Sequence, residues 1–142
     1  MIFAGQSRDQ LRETYRAAWR RYKQQHTLSP LDKQVVAVIS EHPEYHVILE
    51  SAAADLANYS PRGGQLNPWL HMGLHLAVRE QVATNRPAGI TEVHAKLSRK
   101  LGDAHEAEHR MLEVLAEQMW EAQRAGKAPD ESVYLERLKT LI

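Results

Sequence analysis

Apolar residues recur along this chain at helical spacing, and nowhere do they alternate as a half-buried strand would. Leu11, Tyr15, Ala18 and Tyr22 form a first stripe, widened by Trp19, after a capping-box start at Ser7 and Gln10. Arg12, Arg16, Arg20, Arg21 and Lys23 fall mostly on the other side and read as a solvated basic face. Ser29-Pro30, an N-cap followed by proline at the first helical position, opens a second, shorter helix with Leu31, Val35, Val38 and Ile39 buried. Pro43 interrupts it, because proline lacks an amide hydrogen and pushes His42 out of helical dihedrals. His42 is then the N-cap or hinge of a new helical piece from Pro43 to about Leu56, with His46, Leu49 and Ala53 inward. Asn58 to Leu66, with Pro61 and Gly63-Gly64, reads as a loop.

Asn67-Pro68 repeats the cap-plus-proline start and opens NPWLHMGLHLAVREQ, which is apolar nearly all round and so belongs in the middle of a bundle. It ends before Asn85-Arg86-Pro87. Ile90, Val93, Leu97 and Leu101 mark a helix over Thr91 to Leu101, with Gly102 as its left-handed stop. Asp103 and Glu106 form an acidic capping box for a long helix to Ala125, closed by Gly126. Pro129 starts a last helix with Val133, Leu135, Leu138 and Ile142 as its apolar contacts. The pattern predicts one all-α domain over residues 1–142, a bundle of about five to seven helices with a histidine-lined interior.

Composition mainly removes possibilities. Lys and Arg number 18 and Asp and Glu 18, so nothing electrostatic favours nucleic acid or an anionic membrane as partner. The absence of cysteine removes disulfides, thiolate metal sites and cysteine nucleophiles. No run approaches the roughly 20 apolar residues of a membrane span. The start MIFAGQSRDQLRETYR turns polar too early for a signal peptide. A cytoplasmic protein is expected.

The chemistry lies in the histidines. His42/His46, His71/His75 and His105/His109 are each four apart. Eight histidines scattered at random over 142 positions would give about 0.4 such pairs. At about 100° per residue, Val78 and Val82 lie within about 20° of His71, with His75 about 40° away. Leu112, Ala116 and Met119 group similarly around His105 and His109. Both pairs are therefore expected to face inward, and two imidazoles one turn apart can offer two nitrogens to one ion.

Six such ligands exceed the needs of one tetrahedral zinc and suit two metals or one octahedral ion better. Glu50 follows His46 by one turn and Glu113 follows His109, giving H-x-x-x-H-x-x-x-E twice, with the glutamates as carboxylate ligands or bridges. Iron is the favoured metal, with zinc or manganese as alternatives, and dioxygen or a small molecule as further partner. Glu44 and Glu108 are weaker candidates, and Glu80 points away. His94 reads as core or as a residue behind the ligands, His26 as solvated, and Arg79 as a surface ion-pair partner or a substrate anchor. A metal-free interaction module with a buried histidine network, or one structural zinc with spare histidines orienting its ligands, are the rival readings. Nothing identifies an organic substrate.

MIFAGQSRDQLR, HPEYH, NPWLHMGLHLAVREQ and HEAEHRMLE together resemble a bacterial family of uncharacterised proteins, the domain of unknown function 1841 family. That resemblance spans nearly the whole chain and implies a shared fold and the importance of those motifs, without implying an activity. The H-x-x-x-H spacing at His71/His75, with Glu50 and Glu113, is more loosely similar to hemerythrin-like bundles, which hold two irons through histidines and bridging carboxylates. Those proteins place a carboxylate in H-x-x-x-E, where all three pairs here begin as H-x-x-x-H.

Overall fold

The computed structural model describes residues 8–50 and 67–142 of the chain. It is all-α. Among the described residues the helices are α1 (Arg8–Lys23), α2 (Pro30–Ser40), α3 (His46–Glu50), α4 (Pro68–Thr84), α5 (Ile90–Leu101), α6 (Ala104–Ala125) and α7 (Glu131–Lys139), with a 3-10 turn at Pro43–Tyr45 before α3. The expected Ser7 cap, the continuation of α3 to Leu56 with Ala53, and the loop over Asn58 to Leu66 lie outside the described residues. The chain divides into two compact units, Met1–Leu76 and Ala77–Ile142, the division falling within α4.

In the first unit α1 and α2 pack through Tyr15, Ala18, Trp19, Val35, Val36, Val38 and Ile39, all buried, with Ile48, Leu49, Trp69, Met72 and Leu76 completing the core. Tyr22, expected in this stripe, is instead exposed, its ring beside that of Trp19. Nor is the basic face of α1 wholly solvated: the guanidinium groups of Arg12 and Arg16 lie 5.5 and 5.2 Å from the Trp69 ring. Gly73 lets α4 approach α1, since a Cβ there would stand 3.4 Å from the Tyr15 hydroxyl. Burial pushes that hydroxyl's pKa up.

Helix α2 starts as its sequence implies. The Ser29 hydroxyl accepts from Asp32 N–H, and the Asp32 carboxylate accepts from Ser29 N–H and from Arg21. Its C-terminus carries more consequence. A continuing helix would offer the residue-43 amide to the Ile39 carbonyl, and Pro43 has none. His42 N–H turns back to Ile39 O at 3.0 Å, and His46 Nε2 donates to the same oxygen at 3.0 Å. His42 Nδ1 donates to Val38 O at 2.7 Å. The break at Pro43 thus fixes two imidazoles.

In the second unit α5, α6 and α7 pack through Ile90, Val93, Leu97, Ala107, Met111, Leu112, Leu115, Tyr134 and Leu138, all buried. Gly102 (φ 70°) and Gly126 (φ 67°) end α5 and α6 in the left-handed region, as expected. Asp103 caps α6 by accepting from His105 N–H and Glu106 N–H, while Glu106 pairs with Arg110. The last helix begins two residues after Pro129, because the Asp130 side chain accepts from the N–H groups of Ser132 and Val133. Its core residues are Tyr134 and Leu138. Val133 and Ile142, expected inside, are exposed, and the Tyr134 hydroxyl donates to Gln81 Oε1 at 2.7 Å.

Candidate metal centre

Within the first unit the 3-10 turn and the first half of α4 bring His42, His71 and His75 together. Histidine is seldom buried without partners, yet these are 4%, 8% and 0% exposed. Their rings meet edge to face, with centroids 4.7 Å apart for His42 and His75, 5.1 Å for His42 and His71 and 4.8 Å for His71 and His75. The spacing of four on α4 places His71 Nε2 and His75 Nε2 3.2 Å apart. A ring nitrogen of His42 lies within 4.8 Å of one of His75.

The tautomer of His42 follows from its neighbour. A carbonyl oxygen only accepts, so the Nδ1 that meets Val38 O carries the proton and the lone pair of the neutral ring is on Nε2. That is the form in which a histidine ligates a metal, with its other nitrogen held by the backbone. The His71–His75 contact has a comparable double reading. One Nε2 can donate to the other, and two nitrogens each about 2.0–2.1 Å from a tetrahedral zinc would stand roughly 3.3–3.4 Å apart. A proton or an ion suits the same gap. These buried imidazoles are compatible with metal binding.

The other expected ligands have different surroundings. His46 faces Ile39 O and the Trp19 ring, whose centroid is 4.5 Å from its own. Glu50 is exposed at the end of α3 and accepts from Trp19 Nε1 at 3.0 Å, with Lys23 Nζ at 3.4 Å. The Trp19 bond first, then Lys23 and His46, hold its carboxyl below the ordinary range. In the second unit His105 is exposed on the first turn of α6, and half-buried His109 places Nδ1 3.2 Å from Glu113 Oε1. Arg79, expected to pair at the surface, instead pairs with buried Glu108, its Nε 2.9 and 3.0 Å from the two carboxylate oxygens. His94 is half-buried and His26 exposed. No helix among the described residues is long and apolar enough to cross a membrane.

One residue at the histidine cluster escaped the sequence reading. Tyr45 stacks parallel to His42 with centroids 5.4 Å apart and meets His71 edge-on at 6.1 Å. The signal was available, since residues i and i+3 eclipse in a 3-10 turn and Pro43 makes a tight turn there natural.

A model of the family described as a domain of unknown function, DUF1841, matches residues 7–140. The chain belongs to that family. Its match takes in α1 to α7 and all three histidine pairs, so the cluster lies inside the family's domain. No curated protein and no solved structure matches the chain. The hemerythrin likeness therefore rests only on the His71/His75 spacing taken with Glu50 and Glu113.

Proposed function

We propose that this DUF1841 protein binds a divalent transition metal, with His42, His71 and His75 as the core of its ligand set. The observation that carries this reading is three buried imidazoles in mutual contact, two of them with Nε2 atoms 3.2 Å apart. An apolar core tolerates such groups only when their nitrogens are satisfied, and a bound ion would satisfy those that reach it. Nitrogen donors of this kind suit zinc, copper, nickel and iron.

The dinuclear iron version needs carboxylates as bridges. Its two expected bridges are committed, Glu50 to Trp19 and Lys23 and Glu113 to His109, which supports the trihistidine zinc reading over the di-iron one. A zinc held by three histidines with an open fourth position would polarise a bound water or carbonyl, so hydrolytic chemistry is within its reach. Dioxygen chemistry would need iron or copper.

Elemental analysis of protein purified without a histidine tag is the test. Near one zinc per chain, lost in His42→Ala, His71→Ala and His75→Ala, is expected. Two irons per chain with near-ultraviolet or visible absorption would restore the dinuclear reading. A metal-free chain that also refuses added zinc would leave the histidine network as a structural module. His105→Ala and His109→Ala, assayed in the same way, report whether the second unit contributes ligands.

A further inference from the structure

We infer that Pro43 is a positioning residue of the candidate metal centre, one that sets which nitrogen His42 offers to an ion. The role rests on the trihistidine reading. It runs through the hydrogen-bond register at the end of α2. In an unbroken helix each amide meets the carbonyl four residues back, so Val38 O would take the His42 amide and Ile39 O the amide of residue 43. Pro43 has no amide to give, and it disfavours helical dihedrals in the residue before it. His42 accordingly stands at φ −127° and ψ 68°, outside the helical region. The ladder tightens by one residue. Glu41 N–H is shared between Ala37 O at 3.3 Å and Val38 O at 3.2 Å, and His42 N–H donates to Ile39 O at 3.0 Å.

The His42 amide has thereby left Val38 O, and the His42 ring comes to that oxygen instead, Nδ1 donating at 2.7 Å. The ring also meets those of Tyr45, His71 and His75, which hold it in the cluster. The Val38 contact adds a proton assignment that ring packing alone does not make. A carbonyl oxygen only accepts, so the proton is on Nδ1 and the lone pair of the neutral ring on Nε2. Restoring the amide should reverse each step. Pro43→Ala lifts the restriction on His42 and returns a donor to Ile39 O, so the His42 amide goes back to Val38 O and displaces the ring.

Two measurements on the full chain test this. Imidazole nitrogen shifts of the metal-free chain, taken by NMR in solution alkaline enough to keep the rings neutral, report the tautomer. Titration with cobalt(II), followed by visible absorption and chelator competition, reports the site. Wild-type His42 should carry its proton on Nδ1. Pro43→Ala should move it toward the mixture of a free imidazole and weaken cobalt binding by about tenfold or more, since groups that orient a ligating histidine typically change affinity by about 10–100-fold. His46→Ala is the control, because it also takes a donor from Ile39 O but leaves Pro43 in place, and both measurements should stay as in wild type. A wild-type His42 protonated on Nε2 would overturn the role even if Pro43→Ala does not fold. So would the wild-type tautomer and affinity in a folded Pro43→Ala chain, or an equal loss in His46→Ala. A wild-type chain that takes no cobalt while His42 keeps its Nδ1 proton would bring down the trihistidine site, and not the hold of Pro43 on the ring.

Discussion

The His46 imidazole donates to the Ile39 carbonyl at 3.0 Å, joining His42 N–H in place of the amide that Pro43 lacks. This one bond separates the members of the first H-x-x-x-H pair. His42 goes into the core beside His71 and His75, while His46 closes the end of α2 and rests on Trp19. Equal spacing in sequence does not imply equal work when a proline lies between the two residues.

His46→Ala should therefore destabilise the fold by about 0.5–1.5 kcal/mol, the net contribution of one hydrogen bond, since His42 N–H still reaches the same carbonyl. Metal content should not change. Urea denaturation with parallel metal analysis checks both, and a loss of metal at wild-type stability would return His46 to the ligand set.

The Arg79–Glu108 pair ties α4 to α6 within the second unit, with Glu108 buried and Arg79 about a quarter exposed (side chains 10% and 28%). Removing one partner takes a close counter-charge from the other in a poorly solvated place. Arg79→Ala should cost about 3 kcal/mol, the lower end for breaking a buried pair because the guanidinium keeps some water. Arg79→Met combined with Glu108→Leu should lose less than either single change, and a denaturant-based double-mutant cycle measures it. Additive losses would mean that the two groups do not depend on each other.

Helix stops and starts were the most legible features, because they depend on neighbours in sequence. Gly102 and Gly126 read directly as left-handed ends, and Ser29-Pro30 and Asn67-Pro68 as starts. Side-chain depth was less legible. A helical projection gives a direction and not a distance from the core, which is why His105, aligned with Leu112, is exposed on the first turn of α6. The same limit hid Tyr134, whose hydroxyl is satisfied by Gln81 and can therefore be buried where Val133 is not. The meeting of His42 with α4 is a tertiary fact that no local pattern encodes. Only the coincidence of three spaced pairs hinted at it.

Asp130 makes the start of α7 sensitive to acid. Its carboxyl is held below the ordinary range by the Ser132 hydroxyl first, at 2.6 Å, and then by the amides of Val133 and Ser132. A carboxyl with a depressed folded-state pKa contributes stability above its unfolded value of about 4, and that contribution is lost as pH falls through the folded value. Asp130→Ala should lower the thermal midpoint at neutral pH, and the difference from wild type should shrink steadily below about pH 4. A gap between the two curves that does not narrow in acid would show that the cap acts through something other than its charge.

Metal should act as a folding ligand for the first unit. In the metal-free chain His71 and His75 meet through their Nε2 atoms and His42 holds the Val38 carbonyl, whereas an ion would draw imidazole nitrogens together. A ligand that binds only the folded state adds about 2.7 kcal/mol when its free concentration is 100 times its dissociation constant. For a unit of this size each kilocalorie raises the midpoint by roughly 4–8 °C. Zinc should thus raise the melting temperature by roughly 10 °C or more at that concentration, and a chelator should reverse it. His75→Ala should abolish the response whatever it does to the baseline, because it removes one of the proposed ligands from the cluster. The response, and not the baseline, is the reading that matters. A wild-type midpoint that neither zinc nor chelator moves would leave the burial of His75 without a metal to explain it.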